Sequence, residues 1–135
     1  MSDNYLSLVK SIIARLKADS ATGAIIGDRI YTDVPQQEVF PYAVLSISSS
    51  DFSSVTFTGM EHTVQINIYS RTKSPKETAD ARKAIYNSLN RQENALSLDS
   101  GNMAYINFGG VADIFKDNDG TTWVGVIQFN SVITE

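Results

Sequence analysis

The chain has no cysteine, and that absence removes disulfides, thiolate nucleophiles and sulfur-ligated zinc together. It has one histidine, His62, so a metal site would have to be built from oxygen ligands. Long apolar runs are missing: none approaches the ~18 residues that a membrane-spanning helix needs. A basic surplus is missing as well. The formal charge is −4, whereas a sequence-reading nucleic-acid binder carries a positive footprint. Phosphate cradles are lacking, since neither Gly-x-Gly-x-x-Gly nor Gly-x-x-x-x-Gly-Lys-Ser/Thr occurs. Met1-Ser2-Asp3-Asn4 is acidic and polar, which is not the pattern of a signal peptide.

What remains is an ordinary globular composition, 42% hydrophobic and 19% charged, over 135 residues. That length fits a single domain, residues 1–135, with a core that needs no covalent staples. Tyr5, Leu8, Val9, Ile12, Ile13 and Leu16 recur at helical spacing, with Lys10, Ala14 and Lys17 opposite. Ser2, Asp3 or Asn4 can cap that helix. Ser20 to Ile26 reads as a further short helix stopped by Gly27. A short edge strand is expected at Arg29-Ile30-Tyr31, followed by an extended stretch bracketed by Pro35 and Pro41. Tyr42 to Ser48 alternates as a strand, with Ala43, Leu45 and Ile47 on one face.

Ser49 to Gly59 is polar apart from Phe52, Val55 and Phe57, and is long for a hairpin loop. Two readings stay open: a loop whose phenylalanines meet a partner, or a strand end that turns them inward. Glu61 to Ser70 alternates again, with Val64, Ile66 and Ile68 against Thr63, Gln65 and Asn67. Ser74-Pro75-Lys76-Glu77 then predicts a helix start with Ser74 as cap, Pro75 in the first turn and Glu77 as the returning box partner. Its apolar stripe is Ala81, Ala84, Ile85 and Leu89. Met103 to Phe108 and Val111 to Phe115 read as one strand bulged at Gly109-Gly110. Asp119-Gly120 predicts a hairpin into a last strand, Thr121 to Ile133, apolar on both faces. The expected fold is α+β: a single, mainly antiparallel or mixed sheet of about four strands, two helices on one face, in the order α-β-β-α-β-β.

Chemistry is hard to find in these residues. His62 would have to serve any Ser-His-Asp arrangement, yet no Gly-x-Ser-x-Gly elbow presents a serine to it. At a strand start, an exposed or interface histidine is the ordinary expectation. Asp117-Asn118-Asp119-Gly120 fails as a calcium loop, because the first and bidentate ligand places would fall on Phe115 and Val126. Tyr42, Phe52, Phe57 and Tyr105 lie among Ser, Thr and Asp without interleaved basic residues, so they read as core or interface. The one basic concentration is Arg71, Lys73, Lys76, Arg82 and Lys83, broken by Glu77 and Asp80. It reads as a solvated face or as a docking edge for an acidic partner. No catalytic, cofactor or metal residue is expected.

Several short blocks, taken in order, carry a resemblance. They are the Leu6 to Leu16 helix, Gly27-Asp28-Arg29-Ile30-Tyr31, Val34-Pro35, Phe40-Pro41-Tyr42, Glu61 to Arg71 with its following helix, and the Asp119-Gly120 hairpin with the closing strand. Together they resemble the tail-completion (tail-terminator) proteins of long-tailed bacteriophages. The resemblance implies a structural virion protein, made in the host cytoplasm, that forms a ring, typically of six copies, at the head-proximal end of the tail tube. Its implied partners are itself, the tail tube protein and the head–tail connector protein, with DNA passing through unbound and no membrane contact. Arg29, Tyr31, Asp51, Phe52, Phe57, His62, Arg71 and Lys73 are the candidate subunit or tube contacts. A head-closure or neck protein is the alternative; a small enzyme around Glu61 and His62, or a bacterial adaptor domain, stand further off.

Overall fold

The computed structural model describes residues 4–36, 39–51, 58–99 and 101–134. The expectations for Phe52 and Phe57 therefore lie outside the described residues. Along the chain run α1 (Tyr5–Ala18), α2 (Ser20–Ile26), β1 (Ile30–Tyr31), β2 (Tyr42–Asp51), β3 (Gly59–Ser70), α3 (Lys76–Leu89), a 3-10 turn (Glu93–Ala95), β4 (Asn102–Lys116) and β5 (Trp123–Thr134).

The sheet has five strands in the order β1-β2-β3-β5-β4. β1 runs parallel to β2 and every other pairing is antiparallel. The expected tally of about four strands and two helices becomes five and three among the described residues, because the short helix expected at Ser20 to Ile26 and the short edge strand expected at Arg29-Ile30-Tyr31 both form, as α2 and β1. β1 is held by its pairing of Ile30 with Ala43 and Tyr31 with Val44.

The alternation of β3 decides the layering. His62, Val64, Ile66, Ile68 and Ser70 are buried, while Thr63, Gln65, Asn67 and Tyr69 stay half-buried on the other face. Leu8, Ile12 and Leu16 of α1, Ile26 of α2, and Ala81, Ile85 and Leu89 of α3 join Leu45, Ile127, Phe129 and Ile133 in one core. Burying one such large aliphatic side chain is worth about 1.5–3 kcal/mol, so this layer holds the fold together.

The opposite face carries a row of side-chain amides. Gln128 Nε2 donates to Gln65 Oε1 at 2.9 Å, and Gln65 Nε2 donates to Asn67 Oδ1 at 3.1 Å. The valines of β5 on this face are sheltered by flanking side chains: Val124 sits between Tyr69 and Phe115, and Val132 between Glu61 and Tyr105.

Of the expected caps for α1, Ser2 and Asp3 lie outside the described residues; Asn4 and Ser74 turn out differently. Asn4 precedes α1, but its side chain makes no cap bond; its Oδ1 accepts from His62 instead. Ser74 Oγ makes only a long 3.4 Å contact with the Lys76 amide, and Glu77 Oε1 takes a 2.6 Å hydrogen bond from the buried Ser70 hydroxyl of β3. Glu77 therefore fastens the helix to the sheet rather than closing a capping box. Other local expectations hold: Gly27 stops α2 at φ 60, and Gly120 turns the hairpin at φ 73. The strand β4 slips against β5 between Phe108 and Ala112, at Gly109-Gly110.

Candidate functional site

His62 lies on the helix-facing side of β3 with no exposed surface. Its Nε2 is 2.9 Å from Asn4 Oδ1 and its Nδ1 is 2.7 Å from Ser49 Oγ. An amide oxygen only accepts, so the geometry assigns the proton to Nε2 and leaves Nδ1 to accept from the Ser49 hydroxyl. The order serine, imidazole, amide superficially matches a nucleophilic triad. Yet a buried ring cannot meet a substrate, and none of the four clefts described for this chain is lined by His62 or Ser49. The relay instead ties the start of α1 to β2 and β3. This corrects the expectation of His62 as an exposed contact: the helix-facing parity of β3 puts it inside.

The remaining candidates divide between the two ends of the sheet. At one end Tyr31, Phe40, Tyr42 and Tyr69 form an aromatic row. Centroids are 6.1 Å apart for Tyr31–Tyr42 and 5.1 Å for both Phe40–Tyr42 and the stacked Tyr42–Tyr69. The Arg71 guanidinium lies 4.3 Å above the Phe40 ring, donates from Nε to Thr122 Oγ1 at 3.1 Å and approaches Asp119 at 3.7 Å. Arg71 is thus a bridge between the aromatic row and the β4–β5 hairpin. Lys73 is exposed beside it, in a shallow cleft of about 320 Å³ shared with Lys116 and Thr121. Arg29 donates from Nε to the Pro41 carbonyl at 2.8 Å, which holds the segment before β2 against β1.

Asp51 is exposed at the far end of β2, nine residues beyond Tyr42. At about 3.3 Å per residue that is roughly 30 Å from the aromatic end. The structure therefore brings Arg29, Tyr31, Arg71 and Lys73 to one end of the sheet and leaves Asp51 at the other.

The hairpin itself is held by Asp119. Its Oδ1 accepts from the Thr121 and Thr122 amides at 2.9 Å each, and its Oδ2 accepts from Thr122 Oγ1 at 2.6 Å. The Thr122 hydroxyl, followed by the two amides, lowers the carboxyl from its ordinary 3.8 to about 2. Asp119 is a turn staple whose oxygens are already engaged.

One surface escaped the residue-by-residue reading. Along β4, Phe108 is 36% exposed and Val111 and Phe115 are each 45% exposed. Phe108 packs edge-on against Tyr86 of α3 at 5.5 Å. Beside Phe108, on the helix-facing side, a groove of about 410 Å³ runs between α3 and β4, floored by Ile127 and rimmed by Arg82 and Lys83, whereas Phe115 lies on the opposite face of the sheet. The available signal was a strand with apolar residues on both sides of a Gly-Gly bulge.

Among the described residues no helix is long and apolar enough to cross a membrane. No curated protein matches the chain. Among solved structures, a chain of the "Virion of native gene transfer agent (GTA) particle" has the same fold. Its TM-score is 0.89 at 19% identity, and the alignment covers 100% of both chains. The family model described as "Tail completion protein gp17" matches residues 10–134. The chain therefore belongs to the tail completion protein gp17 family: it is a structural component of the virion tail and not an enzyme.

Proposed function

We propose that copies of this chain form a ring, of six subunits by the family resemblance, on the head-proximal end of the tail tube. The ring stops polymerisation of the tube and joins the tail to the head connector. The observation that carries this reading is the family match across residues 10–134, which takes in both helical and sheet layers and not a single motif. The architecture is compatible with it. One sheet face is covered by helices and the other is an uncharged amide row at its centre, so the described residues offer shape and edges for contact.

Six copies of a chain of charge −4 carry −24. Part of that charge, with Asp51 the residue assigned to the lumen or tube side, keeps passing DNA from sticking, because fixed cations would neutralise phosphates and retain it. The test is electron microscopy of particles assembled without the gene. Overlong or irregular free tails are expected. Tails of normal length that merely fail to join heads would instead make the protein a neck component.

A further inference from the structure

We infer that β4 is a strand-addition edge for a second copy of this chain, and that the neighbour's β1 side docks on it head to tail. The inference rests on the ring reading above and supplies its contact.

The outer edge of β4 is divided. Just before the bulge three backbone groups are already taken by the turn after α3: the Ile106 amide donates to Glu93 Oε1 at 3.2 Å, the Ile106 carbonyl accepts from the Arg91 amide at 2.8 Å, and the Phe108 amide donates to Asn90 Oδ1 at 2.8 Å. Beyond the bulge this cover stops. From Val111 to Lys116 no strand among the described residues pairs with the outer side, and the Ile114 amide falls back on the carboxylate of its own neighbour, Asp113, at 2.8 Å. Open edges with exposed apolar side chains are templates for pairing, and here Val111 and Phe115 flank the open half.

The other edge of the same sheet supplies the partner. β1 points opposite to β4, so a neighbour that continues the sheet in the same sense meets β4 in antiparallel orientation. The registers also match in height. Ile30 is level with Ala43, Ile68, Gly125 and Ile114 in successive strands, and Tyr31 with Val44, Asn67, Val126 and Asp113. Docking without shear therefore sets the neighbour's β1 on the open half of β4 and away from the covered half.

Side chains agree with that placement. Tyr31 and Phe115 share the face of the aromatic row, so the row Tyr31–Tyr42–Tyr69 of one subunit would continue onto Phe115 of the next. Asp113 and Arg29 complement each other. The ion pairs among the described residues are Lys10–Asp99, Arg71–Asp119 and Lys76–Asp80, so neither has an ionic partner among the described residues of its own subunit. They would lie diagonally across the junction, at the roughly 7–8 Å that a long side chain can bridge. Contact of one edge with a different edge is the heterologous kind that closes rings.

The chain has no native cysteine, which makes thiol cross-linking clean. Tails assembled with the double variant Tyr31→Cys/Asp113→Cys, then mildly oxidised, should give a ladder of covalent multimers on denaturing gels. Tails with either single variant should give none. Normal tails whose double variant yields no ladder would overturn the inference while leaving a ring intact. Dimers from Asp113→Cys alone would overturn it in favour of two-fold β4 pairing. The copy number per purified tail, counted by quantitative mass spectrometry, tests the ring separately: a single copy would sink that reading instead. As a second probe, Val111→Lys should retain the circular dichroism spectrum and melting temperature of the isolated chain and lose its incorporation into tails. Unaltered incorporation would count against the edge.

Discussion

Replacing Gly125 by alanine should push α3 away from the sheet. Gly125 lies near the start of β5 on the helix-facing side, level with Ile68 and Ile114. A Cβ there would stand 2.6 Å from Thr78 Cγ2, while its next neighbours, atoms of Ile68, lie at 3.7 and 3.8 Å. Carbon atoms rest at about 3.5–4.0 Å, so the overlap is about 1 Å and falls almost wholly on one methyl group. Thr78 is completely buried in the first turn of α3, which leaves it little room to yield. Overpacking of this kind costs about 1–3 kcal/mol, and the lower chain entropy of alanine returns about 0.4–1 kcal/mol. The net expectation is a loss of about 1–2 kcal/mol. Urea unfolding followed by the single tryptophan, Trp123, should show a lower midpoint with an unchanged slope. Thr78→Ser removes the offending methyl and by itself costs about 1 kcal/mol of lost burial. In the double variant the two losses should not add, with a coupling of about 1 kcal/mol in favour of the pair. A Gly125→Ala protein as stable as the parent, or strictly additive losses, would refute the argument that this glycine is required by the approach of α3.

The relay at His62 makes a second prediction: His62→Ala should cost about 2–4 kcal/mol, from the cavity and the stranded Asn4 oxygen, whereas Ser49→Ala at the exposed end should cost under about 1 kcal/mol in the same unfolding assay. Similar losses for both would mean that the imidazole is not the keystone of the contact. The Asp119 staple is testable by pH. Because its carboxyl is lowered from 3.8 to about 2, the stabilisation it gives is fully present above pH 4 and is lost as pH falls through about 2. A carbon-detected NMR titration should place its midpoint near 2; a midpoint at the ordinary carboxylate value would remove the staple.

Periodicity and turn chemistry decide the identity of the longer elements. The stripe Leu8, Ile12, Leu16 specifies α1, the alternation through Val64, Ile66 and Ile68 specifies β3, and Gly27, Gly109-Gly110 and Asp119-Gly120 mark a stop, a bulge and a hairpin. These are local signals, set by side-chain spacing and by φ values that few residues tolerate, so neighbours in sequence suffice to read them. The absence of cysteine and of cradle motifs, together with the order of the family blocks, likewise stood in the sequence alone.

Tertiary structure decided everything that depends on which distant groups become neighbours. The strand order, the parallel β1, the burial of His62 against Asn4, the recruitment of Glu77 to Ser70 and the seat of Arg71 on Phe40 all join residues from separate elements. The same holds for the open half of β4: an edge is a property of a sheet, and no single strand announces that its outer hydrogen-bonding groups will be left facing water.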